Sequence, residues 1–257
     1  MISYCIASFR PVYSRHLISE LVRKTSTPYE ILVWLNVDDP EFDSFLADQI
    51  ASGTPLRIVG RTPENIGMTA YPLLFSSSRF EMVVQIDDDV VCISPHLAER
   101  AWETFARFPK LGMLTADTWQ DEYTNGARPP MEAYREVDRE FGLFDGPIDG
   151  WFAIYRKSSL RMCRKMTSGR YYALGCAIKG QLRSLGQSAL LCTRVKVFHV
   201  TGPQYASYFG MLKSEIDKYE ALGLTALVNC YKNQQIPSQE YLSERIDRIR
   251  ASFEQMA

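Results

Sequence analysis

Several kinds of pattern are missing from this chain, and each absence removes a class of protein. None of the six cysteines (Cys5, Cys92, Cys163, Cys176, Cys192, Cys230) stands in a C-x-x-C pair. That spacing excludes a dithiol redox motif, a zinc ribbon and a small disulfide framework. Reduced thiols, several buried in hydrophobic runs, are expected instead, as in a cytoplasmic enzyme. No window approaches the roughly 18 consecutive apolar residues of a membrane span, so no transmembrane segment is expected. The opening MISYCIASFRP has neither a basic n-region nor a long apolar core, so no secretory signal is expected either. Long blocks of like charge are absent. With 23% charged residues and a formal net charge of -1, composition supplies no basic face for nucleic acid, and no nucleic-acid partner is expected. Low-complexity tracts, internal repeats and a clear domain linker are lacking too, which argues against disorder outside the ends and a few loops.

What remains is a chain of 257 residues, 46% of them hydrophobic, long enough to bury a sizeable core. Its first half alternates short apolar runs with amphipathic stretches. Strands are expected at Ile2–Ala7, Glu30–Leu35, Leu56–Val59 and Met82–Ile86. Helices are expected at Ser14–Lys24, Glu41–Ile50 and Thr69–Ser77. Strands apolar on both faces, alternating with helices, predict an α/β fold: a mostly parallel central sheet flanked by helices, with a Rossmann-like N-terminal half. In the second half, helices are expected at Pro95–Arg107, near Met131–Phe141, and at Cys176–Leu185, Lys213–Leu222 and Ser238–Phe253. Strands are expected at Leu111–Thr115 and Trp151–Tyr155, with one or two more within Ala189–Val200. The stretch 117–146 is acidic and aromatic, broken by Asn125-Gly126 and Pro129-Pro130, and reads as a long excursion.

Sheets of this kind bind ligands beyond the carboxyl ends of their strands. The residues there are Ser8-Phe9-Arg10, Asn36-Val37-Asp38-Asp39, Gly60 to Asn65, and Asp87-Asp88-Asp89. The last group is the sharpest signal. Three adjacent aspartates straight after a buried strand repel one another, and burying them requires compensation. A divalent cation such as Mn2+ or Mg2+ supplies it, because hard ions prefer carboxylate and phosphate oxygens. Alternate aspartates can face one ion while the middle one meets a ribose or sugar hydroxyl.

Taken together, Ile6 to Arg10, Glu30 to Trp34 leading to Asp38-Asp39, Asn65-Ile66-Gly67 with Ala70, and Asp87-Asp88-Asp89 resemble the nucleotide-binding half of family-2 glycosyltransferases. The resemblance implies the GT-A (nucleotide-diphospho-sugar transferase) fold in a single domain over 1–257. Residues 1–110 would form the nucleotide-sugar half, 111–236 the acceptor-binding half and 237–257 a C-terminal helix. It further implies a D-x-D motif in which Asp89 is a metal ligand, Asp87 touches donor ribose or sugar beside the metal, and Asp88 shares either task. Ala7, Ser8, Phe9, Arg10, Asp38 and Asn65 would then border the donor, a nucleotide-diphosphate sugar with UDP favoured. The segment Asp149-Gly150-Trp151-Phe152-Ala153-Ile154-Tyr155-Arg156 resembles the G-x-F-x-x-x-R stretch that receives the acceptor in related transferases. His199, closing Val195-Lys196-Val197-Phe198-His199, matches a further metal ligand. The Glu-Asp pair that carries the base in inverting relatives is missing from Tyr171 to Lys179.

Mechanistic expectations follow. The metal would stabilise the leaving diphosphate, helped by a basic residue after His199, for which Lys213 is the candidate. Asp149 is the first choice for a general base and Asp117 the second; a retaining route would need neither. Trp151 has the strongest claim to acceptor contact among the aromatic residues. Gly202-Pro203 and the aromatic residues after it suggest a flap over the donor. The acceptor itself is unspecified. A sugar nucleotidyltransferase would need a glycine-rich loop after the first strand, and Ser8-Phe9-Arg10-Pro11 has no glycine. A degenerate module that binds nucleotide sugar or glycan without turnover is the other alternative.

Overall fold

The computed structural model describes residues 1–124, 127–163 and 174–256. The turn expected at Asn125-Gly126 and part of the stretch searched for the acidic pair, Tyr171 to Ala173, lie outside the described residues.

The first half repeats a strand-helix unit: β1 (Ile2–Ser8), α1 (Pro11–Lys24), β2 (Tyr29–Leu35), α2 (Pro40–Ala51), β3 (Leu56–Arg61), α3 (Ala70–Ser77) and β4 (Met82–Ile86). Local chemistry sets the helix starts. Pro11 and Pro40 open α1 and α2, where proline's missing N–H costs nothing. Asp39 caps α2 by accepting from the Phe42 N–H at 2.8 Å. Leu17, Ile18 and Leu21 lie on one face of α1 and are fully buried. Each such side chain contributes about 1.5–3 kcal/mol of transfer free energy.

After β4 come β5 (Val90–Ile93), α4 (Leu97–Arg107), β6 (Leu111–Thr118), β7 (Arg135–Asp138), β8 (Leu143–Asp145), β9 (Phe152–Arg156), α5 (Lys157–Met162), α6 (Leu174–Ser184) and β10 (Ser188–His199). The chain then runs through α7 (Pro203–Tyr208), α8 (Leu212–Ala221), α9 (Thr225–Asn233) and α10 (Gln239–Glu254). One sheet takes the order β3-β2-β1-β4-β9-β6-β10-β8-β7, with β5 paired to β10. β3, β2, β1 and β4 are parallel neighbours. β9 enters antiparallel between β4 and β6, which makes β6, and β10 parallel to it, run the same way as the first block.

This order places a switch point at β1. The chain leaves β1 toward β2 on one side and later returns to β4 on the other. The carboxyl ends of β1 and β4 therefore diverge into a crevice, the usual ligand position in an open α/β sheet.

The helix expected near Met131–Phe141 does not form. Met131–Ala133 is a single 3-10 turn, and β7 and β8 then make a hairpin. Gly142, at φ 61°, turns the chain in a left-handed conformation that ends any helix there. The expected flap is also corrected. Tyr205 is fully buried and Phe209 nearly so, packed with Tyr13, Val91, Phe198, Ile246 and Phe253 in a second core beneath α7 and α10. Their rings are packed into this layer.

Candidate functional site

The site grows from the turn between β4 and β5. All five residues of β4 are buried, so the chain emerges from the core at Asp87 already fixed in direction. The Asp87 N–H donates to the Trp151 carbonyl at 3.0 Å, and the Val90 N–H closes the turn on the Asp87 carbonyl at 3.1 Å. The Asp89 carbonyl accepts from the Val200 N–H at 2.9 Å. Pairing of β10 with β5 sets His199 opposite Val90. The end of β10 is thereby carried to the acidic turn from more than a hundred residues away.

The three aspartates do different things. Asp88 is saturated by its own chain: Oδ2 accepts from the N–H groups of Phe9 at 2.8 Å and Arg10 at 2.7 Å, and Oδ1 accepts from Arg10 Nε at 3.0 Å and Nη2 at 2.5 Å. These bonds tie the end of β1 to the end of β4 and occupy both oxygens of the carboxylate expected to meet a ribose or sugar hydroxyl, while Asp88 still borders the first of the site's two cavities. Asp87 and Asp89 face elsewhere. Ligand atoms of Asp87, Asp89 and His199 lie within 4.8 Å of one another. His199 Nε2 is 3.0 Å from Asp89 Oδ1, and Arg10 Nη2 is 2.8 Å from Asp89 Oδ2. Asp87 Oδ1 and His199 Nδ1 are buried without a hydrogen-bond partner, and Asp89 Oδ1 has only the His199 ion pair.

Such orphaned acceptors are costly unless something else completes them. Two carboxylate oxygens and an imidazole nitrogen form a donor set that suits Mn2+ and admits Mg2+. The electrostatics agree. Burial, with the neighbouring Asp89 charge, pushes the Asp87 carboxyl up to about 7. Burial would raise Asp89 too, but Arg10 and His199 outweigh it and hold that carboxyl well below the usual range. Burial alone would depress His199; Asp89 and Asp87 reverse this and raise it. A buried cluster of two carboxylates and an imidazole with mutually shifted protonation is a candidate cation site.

Two cavities meet at this cluster, sharing Met68, Asp87 and His199 in their walls. The first, about 290 Å³, is bordered by Ala7, Phe9, Arg10, Asn36, Asn65 and Tyr71, and by Glu215 and Lys218 from α8. The second, about 340 Å³, is bordered by Gln85, Arg128, Asp149, Gly150 and Trp151. Asp149 Oδ1 accepts from the Gly150 N–H at 2.8 Å and the Cys176 N–H at 3.3 Å in the first turn of α6. Burial raises the Asp149 carboxyl, against the lowering effect of those N–H groups. Trp151 donates from Nε1 to the Ala116 carbonyl at 2.8 Å, which fixes its ring in the second cavity's wall.

Four residues expected at the site are elsewhere. Ser8 is buried against α1, its Oγ 2.7 Å from Ser14 Oγ. Asp38 is exposed and pairs with Arg61 at 3.0 Å. Asp117 lines neither cavity; it is buried between Arg128, in the second cavity's wall, at 2.5 Å and Lys196 at 3.3 Å, so both its oxygens are engaged. Lys213 points to solvent and pairs with Asp217 at 2.6 Å. Neighbouring residues take the expected places. Asn36, two residues before Asp38, lines the first cavity, with Nδ2 buried and unpartnered. Lys218, beyond Lys213 on α8, faces the site beside Glu215. The run Asn36-Val37-Asp38-Asp39 is visible in the sequence, but Glu215 carries no signal there at all.

No protein-family model and no curated protein matches the sequence. Solved structures do resemble the fold. A mannosyltransferase, PcManGT from Pyrobaculum calidifontis in complex with GDP-Man and Mn2+, superimposes with a TM-score of 0.59 at 12% identity, over 92% of this chain and 65% of that chain. TarS of S. aureus, residues 1–349, gives 0.54 at 15% identity, over 84% of this chain and 64% of that one. A mycobacterial protein gives 0.53 at 16% identity, over 80% and 69%. The chain thus spans slightly less than two thirds of the length of the first two. It has the GT-A fold.

Proposed function

We propose that this GT-A chain is a metal-dependent glycosyltransferase that takes a sugar from a nucleoside-diphosphate donor. The observation that carries the reading is the Asp87, Asp89 and His199 cluster on the wall between two cavities. These three residues would hold Mn2+ or Mg2+. When bound, the ion supplies positive charge that stabilises the departing diphosphate.

The chain's own residues divide the remaining tasks. Phe9, Asn36 and Asn65 border the first cavity and would receive the nucleoside, with the unpartnered Asn36 Nδ2 free to donate to it. Lys218, in the same wall, places a cation near the diphosphate in the role expected of Lys213. The second cavity would receive the acceptor. Asp149 faces it with a carboxyl raised by burial, suited to take the acceptor hydroxyl's proton. Trp151 would stack the acceptor's apolar face. The PcManGT complex with GDP-Man and Mn2+ supports a nucleotide-sugar donor and puts GDP-sugars beside UDP-sugars for testing.

The test is incubation with Mn2+ and a panel of UDP-, GDP- and dTDP-sugars. Slow, metal-dependent release of nucleoside diphosphate supports an enzyme. Saturable binding with no release would instead make the chain a nucleotide-sugar binding module, and no binding of any donor rejects the reading.

A further inference from the structure

Arg10 sits at the middle of the site's charge distribution. Its side chain is only 12% exposed. It meets Asp88, approaches Asp89 Oδ2 at 2.8 Å, and reaches across to Glu215 Oε1 at 2.6 Å through Nη1. Glu215 is itself buried on α8 and also pairs with Lys218. The guanidinium is thus pulled from two sides, by the acidic turn after β4 and by a helix more than a hundred residues later. Asp89 is shared in a matching way: Oδ2 belongs to Arg10, while Oδ1 faces His199 and Asp87.

We propose that Arg10 is a positioning counter-cation that weakens the protein's own grip on the divalent ion, and that Glu215 opposes it by drawing the guanidinium toward α8. The inference rests on the metal-dependent reading above. Its physical basis is Coulombic. A fixed positive charge on one oxygen of Asp89 lowers the potential that the other oxygen offers to a second cation, and burial keeps solvent from screening the effect. Glu215 restores part of that potential. A consequence for the reaction is that the donor's diphosphate oxygens would be needed to complete tight metal binding, which couples the ion to the donor.

The experiment is a titration of the full chain with Mn2+ alone, following the loss of the free-ion EPR signal. Arg10→Gln should bind Mn2+ about five- to tenfold more tightly than the native protein, and Glu215→Gln should bind it more weakly by about the same factor. Arg10→Lys, which keeps the charge, should return affinity toward native. Simple damage to the site would weaken binding in both neutral variants, so opposite shifts are the signature. Unchanged or weaker binding in Arg10→Gln, or shifts of the same sign in both variants, overturns the proposal. Native protein that takes up no Mn2+ with or without UDP overturns the functional reading, and this inference with it.

Discussion

The Asp149 carboxylate occupies the space that a side chain at Gly175 would need: a Cβ there would stand 2.7 Å from Asp149 Oδ1 and 2.4 Å from the Gly150 nitrogen. Those distances are well inside van der Waals contact. The missing side chain at the start of α6 lets a carboxylate from the loop before β9 reach the helix's free N–H groups. Between Leu174 and Lys179 this chain has no acid of its own, and Asp149 reaches that helix end from a different element.

Gly175→Ala should therefore displace Asp149. With Asp149 as base, the expected result is a large fall in kcat, about a hundredfold or more, with little change in donor affinity. Asp149→Asn should do the same without the steric effect. Because burial raises the Asp149 carboxyl, and the base must be ionised, transfer should fall as pH drops through a value above the ordinary carboxylate range near about 4. A pH–rate profile and a donor-binding isotherm for each variant check this. Normal turnover in Asp149→Asn would move the base elsewhere.

Asp89→Ala should abolish Mn2+-dependent donor binding while the fold persists, since its backbone ties to Val200 remain. His199→Ala should weaken metal affinity without eliminating it, because two carboxylates remain. Calorimetric titration of Mn2+ in the presence of UDP distinguishes the two. An unchanged isotherm for His199→Ala would return that residue to a packing role.

Lys213→Ala and Lys218→Ala separate two residues of one helix. Lys213 is solvent-facing and Lys218 lines the first cavity. Removing Lys213 should leave donor affinity unchanged. Removing Lys218 should weaken it about three- to tenfold, the size of one lost charge-assisted contact. Equal affinities for both variants would remove Lys218 from the donor site.

Asp121, which lines neither of the two cavities, organises the second core. Its Oδ2 accepts from Tyr205 Oη at 2.5 Å, Trp119 Nε1 at 3.2 Å and Arg245 Nε at 3.3 Å, and its Oδ1 from the Tyr123 N–H at 2.9 Å. Burial would raise the carboxyl, but these donors together hold it below the usual value. A depressed pKa means the ionised form stabilises the fold above the unfolded value near about 4, and that stabilisation is lost as pH falls through the folded value. Asp121→Ala should cost about 3 kcal/mol at neutral pH. Urea unfolding at pH 7 and near pH 3 should show the gap between native and variant narrowing in acid. A gap independent of pH would deny the ionised carboxylate its role.

Much of this was legible in the sequence where chemistry is local. Alternating apolar runs set β1 to β4 and α1 to α3, because hydrophobic period follows backbone geometry. Asp87-Asp88-Asp89 marked a candidate cation site, because three adjacent carboxylates after a buried strand require compensation, and two of them share a cluster with His199. The sequence could not tell which aspartate does what. Asp88 differs from its neighbours only because the ends of β1 and β4 diverge at the switch point and expose the Phe9 and Arg10 N–H groups to it. Nor could it select Asn36 over Asp38, or Lys218 over Lys213, since those choices depend on which way a strand end or helix turn faces after packing. Glu215 enters the site purely through the long-range docking of α8, and Asp149 through the gap left at Gly175. Local pattern determines the elements and the presence of charge; only tertiary packing decides which charges meet, because the relevant partners are tens to hundreds of residues apart and their directions are set by the sheet.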